Sequence, residues 1–255
     1  MSAAIFIAAY LAAAAPAAQT VISSIDLTGP FHTRTHWTFT ATQGAEVDDP
    51  ILMDGKVPGV VTLCLSRDAG RNCHANVTGA FPRTGAGDPY AQSHFLLEAR
   101  VEPDAARPVL LVRTGTVYGA NGDEGVRTQL LTYDRAKDAF TVAYDRVTGH
   151  NNNQEVRYMT SGPLHGDVVS AEPTEDKPFG YWVTVDRLTE AGVYRQVLRY
   201  RSATHYGDGN PLAVIDAEMP NIERRLGKWR PGQPLPLPAK GCARPHLVKT
   251  VLWCE

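Results

Sequence analysis

From Thr20 onward, apolar and polar residues alternate in short runs: "VISSIDL", "HWTFTAT", "VVTLCL", "HFLLEARV", "PVLLVRT", "TQLLTYD", "AFTVAYDRV", "QEVRYM", "DVVSAEP", "YWVTVDRL" and "VYRQVLRYR". A period of two sends successive side chains to opposite faces. The runs are rich in Val, Thr, Leu and aromatic residues, so they predict strands broken by turns. The clearest hairpin is "TQLLTYDRAKDAFTVAYD": Tyr133 ends one strand, Asp134 to Asp138 supply a polar turn, and Phe140, Val142 and Tyr144 restart the alternation. So short a connection makes its two strands antiparallel. A helical pattern is confined to "MPNIERRLGKW", where Pro220 suits a first helical position and Gly227 a C-terminal cap, predicting two turns. In "RPGQPLPLPAKG", Pro234, Pro236 and Pro238 stand at alternate positions, which excludes helix and predicts an extended strap across the sheet surface. The expectation is an all-β fold: a single antiparallel β-sandwich or barrel-like domain over residues 18–255, with one short C-terminal helix and a Pro-rich strap.

The 255-residue chain is 43% hydrophobic and 20% charged, which gives it enough apolar material for a core. A net charge of -2 supplies no bulk field for nucleic acid or an anionic membrane. Ile5 to Ala15 form an apolar run too short to span a bilayer, and Ala15-Pro16-Ala17 offers a small-x-small cleavage pattern, so residues 1–17 read as an export signal without the usual basic start. No membrane span is expected once it is removed. Cys64 with Cys73 and Cys242 with Cys254 form two local pairs, neither at C-x-x-C spacing, and predict two disulfides, although four cysteines formally allow three connectivities. A periplasmic or secreted setting follows.

Four polar stretches could carry function. In "TGHNNNQEVRYM", His150, Asn151, Asn152, Asn153 and Glu155 offer paired donors and acceptors suited to a glycan or peptide. The plainer account, a turn of Gly149, Asn151 and Asn152, explains two asparagines but leaves Asn153 over. In "RSATHYGDGNPLAVIDAE", Asp208 and Asn210 carry calcium-type oxygens without the ligand spacing of a complete calcium loop, so a solvated Gly-rich turn weighs more. Asp216 and Glu218, two apart on an extended strand, would share a face. A glycosidase pair is better drawn from Glu155 with Asp216 or Glu218, with His205 or Asp208 in support. In "VYRQVLRYRSAT", strict alternation puts Arg195, Arg199 and Arg201 on one face, either as an anion site or paired with acids such as Asp186 or Glu172. His32 and His36 share a strand-like face without a third metal ligand. No nucleophile elbow, zinc-protease motif, phosphate loop or dinucleotide fingerprint is present, so no cofactor is predicted.

The C-terminal half, roughly residues 108 to 254, resembles a group of exported proteobacterial proteins with no assigned activity, through "TQLLTYDRAKDAF", "TGHNNNQEVRY", "YRSATHYGDGNPLAVIDAEMPNIERRLG" and "WRPGQPLPLP". The resemblance implies an envelope or periplasmic setting and transfers no catalytic residue. Taken together, the expectation is a non-enzymatic exported β-domain that binds a glycan, a peptide or an envelope protein. A glycan hydrolase using Glu155, Asp216 or Glu218 and a structural subunit of an envelope complex are the alternatives.

Overall fold

The computed structural model describes residues 19–74, 77–81, 88–103, 107–120, 122–149, 154–202, 204–205, 207–238 and 241–255. The predicted export signal lies outside them. The chain begins with β1 (Thr20–Asp26), the single helical turn α1 (Thr28–Phe31), β2 (Thr38–Gln43), the small hairpin β3 (Val47–Asp48) and β4 (Lys56–Val57), and β5 (Val61–Ser66). β1, β2 and β5 form an antiparallel sheet in that order. Two four-stranded meanders follow. The first is β6 (Phe95–Glu102), β7 (Val109–Gly115), β8 (Gly125–Asp134) and β9 (Ala139–Gly149); the second is β10 (Glu155–Tyr158), β11 (Val168–Pro173), β12 (Tyr181–Leu188) and β13 (Tyr194–Arg201). Helix α2 (Val214–Arg225) and the hairpin of β14 (His246–Val248) and β15 (Val251–Trp253) close the chain. Every strand run read from the alternation is a strand, and all the pairings are antiparallel.

The sheets stack in layers, and the alternation shows how. Even-numbered Leu110 and Val112 of β7 pack with Trp37, Phe39 and Leu65 of the N-terminal sheet region, joined by Leu131 and Phe140. Odd-numbered Val109 and Leu111, with Leu130 and Tyr144, pack against Val156, Tyr158, Val168 and Tyr194 of the second meander. The other face of that meander, Val169, Ala171, Tyr181, Val183 and Val185, is covered by Val214, Ile215, Met219 and Ile222 of α2. The β6–β9 sheet is therefore buried on both faces, and β8 is buried at every position from 126 to 132. A sheet covered on both sides loses the clean alternation of burial that a solvated face would give.

Both disulfides form, Cys64 with Cys73 and Cys242 with Cys254. Such bonds persist in an oxidising environment. Among the described residues no helix is long and apolar enough to cross a membrane.

Three local expectations are corrected. The segment carrying Asp216 and Glu218 is not a strand: α2 starts at Val214 and runs through Pro220, which sits inside the helix. Val214, Ile215, Met219 and Ile222 recur at helical spacing and bury one face, and that burial outweighs the hydrogen bond lost at Pro220. Asp216 and Glu218 therefore point about 200° apart instead of sharing a face. Next, β13 carries a register shift opposite Val185 and Asp186, where Leu198 pairs with Val185 and Gln196 with Asp186. Val197 is the extra residue, and the bulge places Arg199 and Arg201 on the opposite face from Arg195. Finally, His32 is not on a strand; it caps α1 in the left-handed conformation, with φ of 48°.

Candidate functional site

One register line crosses the first meander. Glu98 lies opposite Arg113, Arg113 opposite Thr128, and Thr128 opposite Arg146. Arg113, Thr128 and Arg146 lie two positions from Leu111, Leu130 and Tyr144 and share their face, so the line faces the second meander. That sheet presents Val156, Ser170, Thr184 and Arg199 along one line and Glu172, Trp182 and Arg201 along the next. A band of polar side chains thus runs between two sheets whose remaining contact is apolar.

The band is only partly satisfied. Arg146 Nε donates to Glu172 Oε1 at 2.8 Å, tying β9 to β11 across the gap. Burial alone would lower the Arg146 pKa, but the Glu172 carboxylate and the Tyr144 phenol oxygen outweigh it, and the guanidinium is held above its ordinary value. Burial pushes the Tyr144 phenol up to about 12, with Arg146 pulling against it. Burial also raises the Asp186 carboxyl above the usual range, with Arg146 again opposing. Thr128 Oγ1, Ser170 Oγ and Arg113 Nε are buried without a hydrogen-bond partner among the described residues. A buried donor or acceptor left alone costs about 1–3 kcal/mol, so these three, with Tyr144 Oη and Arg201 Nε in the same layer, require an explanation.

Two cavities open on the band. One, of about 910 Å³, is lined by Glu98, Arg100, Arg113 and Thr128 of the first meander, by Glu155 and Arg157 of β10, and by residues at the start of α2 and in the C-terminal segment. The other, of about 990 Å³, is lined by Asp145, Arg146, Glu172 and Glu175, and by Gly149 and Gln154. Both volumes fall in the range of small-ligand sites.

The residues singled out from the sequence have varied fates. His150, Asn151, Asn152 and Asn153 lie outside the described residues, although their neighbours Gly149 and Gln154 line the 990 Å³ cavity. Glu155 and Asp216 do come together, but around a cation: Arg157 donates Nε to Glu155 at 2.6 Å and binds Asp216 with both terminal nitrogens, at 2.5 and 3.1 Å. Glu218 is fully buried and accepts from Tyr200 Oη at 2.8 Å, Thr204 Oγ1 at 2.6 Å and Asn221 Nδ2 at 3.0 Å. It faces none of the cavities described above. Asp208 accepts the Asn210 amide at 2.8 Å, while Asn210 donates to the Leu252 carbonyl at 2.8 Å and accepts from the Leu212 amide at 3.1 Å. The pair builds a turn that docks β15. His205 is exposed, with its ring against the Phe179 carbonyl. No group of three or more potential metal ligands occurs among the described residues. Arg199 stacks over Trp182, 4.4 Å from the ring centroid, and Arg201 reaches Asp176 and the Pro178 carbonyl. The cross-strand acids expected for these arginines are engaged differently, since Glu172 is held by Arg146 of the other sheet.

Sequence reasoning missed Glu98, Arg113, Thr128, Arg146 and Ser170. The available signal was a charged or hydroxyl residue inside an otherwise apolar strand, such as Arg113 in "PVLLVRT". Reading it required knowing that both faces of that strand are covered.

Comparison with protein-family models, with curated proteins and with solved structures found no match to this chain.

Proposed function

We propose that this is an exported β-domain, periplasmic or secreted, that binds a polar ligand of the glycan or peptide class in the cleft between its two four-stranded sheets. The observation that carries the reading is that Thr128 and Arg113, whose buried Oγ1 and Nε have no partner among the described residues, both line a cavity of about 910 Å³. A protein retains such groups at a cost to stability where a ligand supplies the missing partners. Binding is preferred over turnover because Glu155, Asp216 and Glu218 each hold structural partners already. The two disulfides and the resemblance of the C-terminal half to exported proteobacterial proteins support the setting.

Ala213→Trp tests the location. Ala213 is exposed at the mouth of the cavity, just before α2, and a larger side chain there fills the entrance without removing a charge. On a panel of immobilised glycans and peptides, wild-type protein is expected to be retained, and Ala213→Trp to be lost at an unchanged thermal midpoint. Equal retention of the variant, or no retention of the wild type on any member, overturns the reading.

A further inference from the structure

The charges in the 910 Å³ cavity are unevenly served. Arg100 takes Glu98 at 2.7 Å and Glu102 at 2.5 Å. Arg157 takes both Glu155 and Asp216. Among the described residues Arg113 is left with a single carboxylate contact, Nη1 to Glu98 Oε2 at 3.7 Å, beyond hydrogen-bond reach, and its buried Nε has no partner. Directly across the strand pair stands Thr128, 2% exposed, whose hydroxyl also has no partner among the described residues. Opposed positions on one sheet face carry their Cβ atoms about 4.5–5.5 Å apart, so Arg113 and Thr128 are side-by-side neighbours in the wall of the cavity.

The combination fits one chemistry. A guanidinium offers two parallel N–H donors at the spacing of a carboxylate's oxygens, and a hydroxyl beside it can donate a third bond. A phosphate dianion fits less well, because Arg100, Arg113 and Arg157 of the cavity wall are already balanced by Glu98, Glu155 and Asp216, and a monoanion adds less uncompensated charge. Leu111, Val156, Pro211 and Leu212 form the apolar part of the same wall. They suit an aliphatic side chain attached next to the carboxylate better than a sugar ring bearing hydroxyls on both faces. We propose that Arg113 and Thr128 form a carboxylate-binding subsite that takes the free C-terminus of a short peptide whose last side chain is apolar. This rests on the cleft reading above and narrows its ligand.

The test is calorimetric titration of the full mature protein with the peptide Gly-Gly-Gly-Leu as the free acid, the same peptide amidated at its C-terminus, and glucuronic acid. The free acid is expected to bind and the amide to bind at least about tenfold more weakly, the loss typical of one hydrogen bond to a charged group. Arg113→Gln is expected to abolish binding of the acid. Thr128→Val is expected to weaken it severalfold while leaving the thermal midpoint unchanged or higher, since it exchanges an unpartnered buried hydroxyl for a methyl. That second variant keeps the test sharp if the arginine replacement fails to fold. Equal binding of acid and amide, or binding of neither, overturns the carboxylate subsite, and tighter binding of glucuronic acid overturns the peptide as its occupant. The cleft reading falls separately, by unchanged glycan and peptide retention in Ala213→Trp.

Discussion

Asp138 shows how much one side chain can organise. It lies at the end of the β8–β9 turn with φ of 47°. Its Oδ1 accepts from Tyr133 Oη at 2.6 Å and Trp37 Nε1 at 3.1 Å, and its Oδ2 from Thr35 Oγ1 at 2.9 Å, with Arg67 3.7 Å away. The Tyr133 hydrogen bond, aided by Thr35, Trp37 and Arg67, lowers its pKa to about 2. The sign of the linkage follows. A carboxylate whose folded pKa lies below its unfolded value contributes stability that is fully present above the unfolded pKa, near 4, and is lost as pH falls through about 2. Asp138→Asn keeps an amide oxygen as acceptor and tolerates positive φ, so it isolates the charge. Thermal midpoints of the two proteins at pH 6, 4, 3 and 2 are expected to differ most at pH 6 and to converge toward pH 2. A gap independent of pH would show that the carboxylate charge contributes nothing to stability.

At the scale of elements, the strands were legible because their alternation is local and needs no knowledge of partners. Helix α2 was legible only in its second half. "AVIDAE" satisfies a period of two over six residues as easily as a helical one, and Pro220 drew the expected start to itself. The Val197 bulge reversed the face of two arginines, a one-residue event invisible to any pattern of fixed period. The candidate site was less legible still, because Glu98, Arg113, Thr128 and Arg146 come from four strands and meet only through register. Glu218, taken from the sequence as a candidate acid, instead pins α2 to the second meander by accepting from Tyr200 and Thr204. Glu218→Leu leaves those two donors and Asn221 without their buried acceptor. The expected cost is about 3 kcal/mol or more by urea denaturation. A loss below about 0.5 kcal/mol, the level of an ordinary surface substitution, would show that packing alone docks the helix.

For the whole molecule, the decisive feature is that the β6–β9 sheet belongs to two cores at once. Neighbouring residues of β8 divide between them: Leu130 packs toward the second meander and Leu131 toward the N-terminal sheet, both fully buried. Removing either side chain opens a cavity and costs about 2–5 kcal/mol in cores of this kind. What distinguishes a cooperative stack from layers that open independently is where the loss is felt. If the shared sheet couples the layers, Leu130→Ala lowers amide protection in β2 as much as in β12, although β2 lies on the far side of the substituted sheet. Leu131→Ala should do the same in reverse. Native-state hydrogen exchange reads both strands in one experiment. Full protection retained in β2 of Leu130→Ala, with β12 weakened, would mean that the N-terminal sheet holds its own core. The polar cleft between the meanders would then sit at a joint able to open by itself, whereas equal losses tie its geometry to the stability of the entire stack.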